Sequence, residues 1–130
     1  MRIFLALALV VGLAGFASAQ VPTVTVTATD ARAVEATKDP GTFAITHSGV
    51  AEADLTVHYS IGGTATPGED YPALPGSVVI PAGTSTAVIT VMPVQDKTPE
   101  KPETVILTLT EDPAYGLGDH NSATITIRDK

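Results

Sequence analysis

The segment QDKTPEKPETVILTLT, residues 95–110, joins an acidic, proline-containing loop to an alternating apolar run. Apolar side chains recur at every second position of that run: Val105, Leu107 and Leu109. Because side chains alternate between the two faces of a strand, this spacing predicts a β-strand with one buried face. Glu103 shares that face, two residues before Val105, at the strand end where burial gives way to water. Asp96 and Glu100 lie in the loop just before it, so the segment predicts several carboxylates at one end of a β-sheet.

The rest of the chain shows short period-two runs separated by turn-forming residues. Further strands are predicted within residues 24–28, 42–46, 55–61, 76–80, 85–94 and 122–128. The segment 30–32, with Asp30 and Arg32, breaks the first strand. Residues 85–94 are almost continuously apolar or Thr, which predicts a strand covered on both faces. Segments 62–72 and 113–121 are predicted loops. About seven short strands without an amphipathic helix predict an all-β fold, an antiparallel two-sheet sandwich of the immunoglobulin-like kind.

The final predicted strand places a further carboxylate at the end of a sheet. Ile125 and Ile127 face inward, so Asp129, two residues on, points to the core side just past the sheet. Glu103 begins one strand and Asp129 ends another. If those two strands pair antiparallel, both carboxylates emerge at the same end of the sandwich.

The first 19 residues have the features of a secretory signal peptide: Arg2, an apolar run, and the small residues Ala17, Ser18 and Ala19. The apolar run is short for a membrane-spanning helix, which needs about 20 apolar residues, and no basic cluster follows it. We therefore expect a cleaved signal peptide over residues 1–19 and a single domain over residues 20–130. The expected location is secreted, periplasmic or on the cell surface, with no membrane insertion after cleavage.

The net charge disfavours some kinds of binding partner, and the lack of cysteine limits how the domain can be stabilised. The chain carries a formal net charge of −7 and no cysteine. Nucleic acid and anionic membranes are poor partners for so acidic a protein, because both are themselves negatively charged. Without disulfides, the hydrophobic core or a bound ligand must supply the stability of an exported domain.

Three segments carry a resemblance to a known family. They are GTATPGEDY at residues 63–71, the acidic loop at 96–104 with its following strand, and IPAGT at 80–84. Together they resemble the Calx-beta domain family, immunoglobulin-like modules known from sodium/calcium exchangers, integrin beta-4 and bacterial surface proteins. The resemblance extends from residue 24 to residue 129.

The resemblance implies a calcium site at one end of the sandwich. The positions that match the ligands of calcium-binding members are Glu35, Asp70, Asp96, Glu100, Glu103 and Asp129. Calcium is coordinated by six to eight oxygens at roughly 2.3 to 2.6 Å, which flexible carboxylates can supply. Gln95 and Lys130 stand where such members usually have further acids, so the expectation is one weakly bound ion.

An alternative reading needs no metal. Lys97, Lys101 and Lys130 are interleaved with the acidic residues and could neutralise them as a solvated network. The chain would then be a metal-independent adhesion or protein-interaction module. Its partner would be a second copy of itself or another protein.

Catalysis and zinc binding are disfavoured by the residues present. His47, His58 and His120 fall in different segments, and His58 alternates out of phase with Val57 and Tyr59, which predicts that it faces solvent. There is no cysteine, and no serine lies in a Gly-x-Ser-x-Gly elbow. Asp70 with Glu100 could serve as a glycosidase carboxylate pair, but a short chain with few aromatic residues offers little room for a sugar cleft. We therefore expect a binding module and not an enzyme.

Overall fold

The computed structural model describes residues 21–49, 52–95 and 99–130. The expected signal peptide and Asp96 lie outside these ranges. The described residues form nine strands: β1 (Thr23–Asp30), β2 (Arg32–Val34), β3 (Gly41–His47), β4 (Leu55–Gly62), β5 (Ser77–Ile80), β6 (Thr86–Val91), β7 (Glu103–Leu109), β8 (Gly116–Leu117) and β9 (Ser122–Arg128). The described part of the chain contains no helix, and accordingly no helix there is long and apolar enough to cross a membrane.

The strands form two sheets, as the alternating pattern predicts. One sheet has the order β6-β3-β1-β8 and the other the order β2-β9-β7-β4-β5. Most neighbours are antiparallel, but β1 pairs with β8 and β2 with β9 in parallel. The all-β sandwich is confirmed, with nine strands where about seven were expected and two parallel pairings that the prediction lacked.

The interruption after β1 is where the chain changes sheets. The register of β1 against β3 shifts between Ala28 and Asp30. After Ala31 the chain continues as β2 in the opposite sheet, beside β9. The predicted break at residues 30–32 is therefore confirmed, and it delivers Glu35 to the end of β9.

The core lies between the sheets and is built from the alternating apolar positions. Phe43, Ile45, Leu107 and Ile125 are completely buried. At the far end of β7, the Tyr115 hydroxyl donates to the Thr110 carbonyl oxygen at 2.7 Å and accepts from the His58 backbone N–H at 3.0 Å. That buried tyrosine therefore satisfies two backbone groups as well as filling space.

Two local predictions were wrong. The expected two-sided burial of residues 85–94 fails because β6 is the last strand of its sheet: Ile89 and Val91 face the core, whereas Val88 on the other face is 60% exposed. The expected loop at 113–121 contains β8, a strand of only two residues, which is too short to leave a periodic signal.

Candidate metal centre

Strand pairing places Glu103 and Asp129 at the same end of the sandwich. β7 and β9 are antiparallel, and Glu103 lies opposite Ile127 in their register. Asp129 follows β9 by one residue and so emerges beside the start of β7. The arrangement expected from the period-two pattern of these two strands is confirmed.

Glu35 reaches this end through the parallel ladder of β2 and β9. Its backbone N–H donates to the Arg128 carbonyl oxygen at 2.8 Å, and the N–H of Ala36 donates to the Asp129 carbonyl oxygen at 3.0 Å. These bonds continue the ladder past the end of β2 and hold Glu35 beside Asp129. The Glu35 side chain is only 4% exposed.

Asp70 is held by the loop between β4 and β5. Its carboxylate accepts a hydrogen bond from the Thr66 backbone N–H at 2.6 Å, and its own N–H donates to the Thr66 carbonyl oxygen at 2.9 Å. The loop is joined to the start of β7, because the Ala65 N–H donates to the Thr104 carbonyl oxygen at 2.9 Å. Asp70 is therefore fixed next to Glu103, and it is 7% exposed.

Gly63 makes this close approach of loop and strand possible. Its φ is 103°, in the region that residues with a side chain rarely adopt, and a Cβ there would clash with the Thr104 carbonyl group. Only glycine fits such a position without strain. The first glycine of the GTATPGEDY segment thus has a direct role in placing Asp70.

Glu100 lies between the other carboxylates. Its backbone N–H donates to a carboxylate oxygen of Asp129 at 2.5 Å, which ties the loop before β7 to the end of β9. Its side chain is partly buried, as are those of Glu103 and Asp129.

The carboxylates form two overlapping groups that share Glu100. One contains Glu35, Glu100 and Asp129, and the other contains Asp70, Glu100 and Glu103. Within each group, one oxygen from every residue lies within 4.8 Å of the others. The structure thus brings together five of the six residues expected as ligands, and the sixth, Asp96, lies outside the described residues.

Electrostatics make such a cluster a strong attractor for cations. Two unit charges 4.8 Å apart repel by about 3 kcal/mol at an effective dielectric constant of about 20. Burial adds to the cost of the charged form. Both groups contain only carboxylate oxygens, a donor set that suits calcium and lacks the nitrogen and sulfur ligands typical of zinc.

Two of the three lysines of the alternative reading lie at the surface, whereas Glu35 and Asp70 are buried. Lys101 and Lys130 are exposed, and the ion pair found among the described residues joins His58 and Asp112 at 3.8 Å. That pair lies beyond the opposite end of β7. Lys97 falls outside the described residues.

The histidines take no part in either carboxylate group. His58 is exposed, as predicted, and buried His47 contacts the backbone carbonyl oxygens of Ser48 and Thr84 at 3.0 Å each. No group of three metal-binding side chains within the described ranges contains a histidine.

Tyr71 ends the GTATPGEDY segment, and the sequence alone assigned it no structural role. It follows Asp70 and is completely buried, and its hydroxyl has no hydrogen-bond partner among the described residues. Burial, and then the neighbouring Asp70 charge, raise the pKa of Tyr71. Its ring anchors the Asp70 loop in the core.

A separate open cleft of about 550 Å³ lies at the other end of the sandwich. It is lined by residues such as Glu111, Asp112 and Tyr115. None of the expected site residues lines it. The acidic end and this cleft are therefore distinct regions of the molecule.

The fold and the acidic end define a β-sandwich with a carboxylate cluster between its end loops. Comparison with protein families agrees: the Calx-beta domain model matches residues 18–130. The chain therefore belongs to the Calx-beta domain family. A search of the curated proteins found no match.

Several solved structures have the same fold. The apo form of the Calx CBD1 domain is 18% identical with a TM-score of 0.69, and the match covers 85% of this chain and 99% of that one. The Calx CBD2 domain is 16% identical with a TM-score of 0.62, covering 82% and 86%. The calcium binding domain CBD12 of CALX1.1 is 19% identical with a TM-score of 0.66, and this chain, 81% covered, matches 44% of it.

Proposed function

We propose that this protein is an exported, non-catalytic Calx-beta module that binds calcium at the carboxylate end of its sandwich. The ligands proposed are Glu35, Asp70, Asp96, Glu100, Glu103 and Asp129. One observation carries the proposal: two groups of three carboxylates share Glu100, with their oxygens within 4.8 Å. The signal-peptide features of residues 1–19 support export.

Calcium suits this site better than magnesium does. The carboxylates come from four separate segments: the turn after β2, the loop between β4 and β5, the start of β7 with the residues before it, and the residue after β9. Calcium tolerates irregular geometry and high coordination numbers, whereas magnesium demands a near-ideal octahedron and gives up its water reluctantly. An ion held here would link the four segments and rigidify this end.

The family supports the same reading. One structure of similar fold is described as a calcium binding domain. The described residues offer a cluster of carboxylates and no recognisable catalytic constellation, which supports a binding role in place of an enzymatic one.

The competing function is a metal-independent adhesion or protein-interaction module. It is favoured by a different observation, the exposed apolar Val88 on edge strand β6. The two functions use different regions of the molecule and can be tested separately.

Thermal unfolding of the purified protein in chelator, in calcium and in magnesium tests the proposal. A ligand that binds only the folded state stabilises it by about 2.7 kcal/mol at 100 times its dissociation constant. We expect a clear rise of the midpoint with millimolar calcium and a much smaller rise with magnesium. Identical midpoints in chelator and calcium would overturn the calcium function.

A further inference from the structure

The four edge strands of the sandwich differ in how well they are protected against pairing with a strand of another molecule. The sheets end at β8 and β6 and at β2 and β5. β8 has two residues, β2 has three and carries Arg32, and β5 has four. β6 has six residues and contains no charge, proline or glycine. Short strands, charges and prolines are the usual means by which proteins prevent edge-to-edge pairing, and β6 has none of them.

The backbone of β6 presents hydrogen-bonding groups along its open side. The His47 N–H donates to the Ser85 carbonyl oxygen at 2.9 Å, which marks a hydrogen-bonded pair in the β3–β6 ladder. Such pairs alternate along an antiparallel ladder, so Ala87, Ile89 and Val91 bond to β3. The N–H and C=O groups of Thr86, Val88 and Thr90 therefore point away from β3, toward the open edge of the sheet.

The stretch of sequence that contains β6 is uncharged in an otherwise acidic protein. Residues 71–95 contain no charged side chain, although the chain carries a formal net charge of −7. The exposed residues of this region include Val79, Val88, Met92 and Val94, each more than 40% exposed. Two copies of so acidic a chain repel each other wherever charged surfaces meet. At β6 they can approach without placing like charges in contact.

From these observations we infer that β6 is a self-association strand that pairs antiparallel with β6 of a second copy. A two-fold axis at Val88 places Val88 opposite its twin and Thr86 opposite Thr90 of the partner subunit. All three outward-pointing residues then form hydrogen-bonded pairs, which supplies about six backbone hydrogen bonds. The two four-stranded sheets become one continuous sheet, and Val88 is covered by its twin.

The position of the carboxylate end favours this antiparallel arrangement. β6 runs toward that end, since the Val94 N–H, just beyond the strand, donates to the Asp70 carbonyl oxygen at 2.8 Å. Antiparallel pairing therefore places the two acidic ends at opposite extremes of the dimer. A second copy of the chain fits the edge both in hydrogen bonding and in charge.

Sedimentation equilibrium of the purified protein, from about 1 µM to about 1 mM, tests the inference. We expect a monomer–dimer equilibrium that is present in chelator as well as in calcium. Val88→Lys places two lysines face to face and should weaken the dimer by more than about tenfold. Ser60→Lys, at an exposed position on β4, a strand of the other sheet with neighbours on both sides, is the matched control and should leave the dimer unchanged.

A single cysteine tests the register. The chain has no cysteine of its own, and Cα atoms of a hydrogen-bonded antiparallel pair lie about 5.5 Å apart, within the range that a disulfide spans. Val88→Cys should therefore form a covalent dimer on mild oxidation, and Ser60→Cys should not.

Each of the following results would overturn the inference. They are a wild-type protein that is monomeric at all concentrations, a dimer that survives Val88→Lys, and a dimer lost only with Val79→Lys on β5. A monomer whose β6 pairs instead with a strand of another protein would likewise refute self-association.

Discussion

Glu100 belongs to both carboxylate groups, so its removal is the sharpest test of the proposed calcium site. Glu100→Gln keeps the size of the side chain and the backbone N–H that donates to Asp129. It removes one charge and one strong ligand from each group. No other described residue affects both groups at once.

The expected magnitude follows from the geometry. At the spacing of these oxygens, up to 4.8 Å, the Coulomb energy of a pair of unit charges is about 3 kcal/mol at an effective dielectric constant of about 20, and this energy sets the scale of the attraction lost with one carboxylate. This corresponds to roughly a hundredfold loss of calcium affinity. At a calcium concentration of 100 times the wild-type dissociation constant, the stabilisation falls from about 2.7 to about 0.4 kcal/mol. For a domain of this size the calcium-induced rise in midpoint then drops from about 10 °C to about 2 °C.

The assay is thermal unfolding of each variant in chelator and in calcium. The quantity compared is the rise produced by calcium, so that any change in the metal-free stability cancels. Glu111→Gln makes the same chemical change at an exposed position near the opposite end and should retain the full rise. The reasoning would be refuted if calcium raised the unfolding midpoint of Glu100→Gln as much as that of the wild type. It would also be refuted if Glu111→Gln lost as much of the calcium-induced rise as Glu100→Gln.

The fold supplies further tests, each by chemical denaturation. Gly63→Ala should lower the free energy of unfolding by about 3 kcal/mol, because of backbone strain and the clash with the Thr104 carbonyl. Gly83→Ala, with a similar φ but open space around it, should lower it by about 1 kcal/mol. Tyr115→Phe should cost about 2 kcal/mol because it leaves two backbone groups without their partner; Tyr71→Phe should cost almost nothing, since its hydroxyl has no partner among the described residues. Equal costs within either pair would contradict these assignments. The raised pKa of Tyr71 means that the unfolded chain loses this proton first, so stability should fall as the pH rises above 10 and fall less in Tyr71→Phe.

Local periodicity was sufficient to predict the two-sheet fold and part of the acidic end. The alternation through β7 and β9 places Glu103 and Asp129 on the core side of their strands, and the observed register brings them to one end. Glu35 and Asp70 were expected only through the family resemblance. Their positions depend on a sheet switch after β1 and on a loop held by Thr66, and neither leaves a periodic trace in the sequence.

The wrong predictions for β6 and β8 also arose because tertiary structure cannot be read from local sequence. β6 is continuously apolar or Thr, which usually indicates burial on both faces, yet its place at a sheet edge exposes Val88. Strand order is a property of the whole fold and does not follow from local composition. β8 is defined by two residues that pair with β1, and so short a strand is specified by tertiary contact alone.

Calcium binding measured by isothermal titration calorimetry on metal-free protein tests the central claim most directly. Saturable binding of at least one calcium ion per chain is predicted, with weak or undetectable binding of magnesium. The binding should weaken by roughly a hundredfold in Glu100→Gln and persist in Glu111→Gln. A folded wild-type protein that gives no saturable binding up to millimolar calcium would contradict the account.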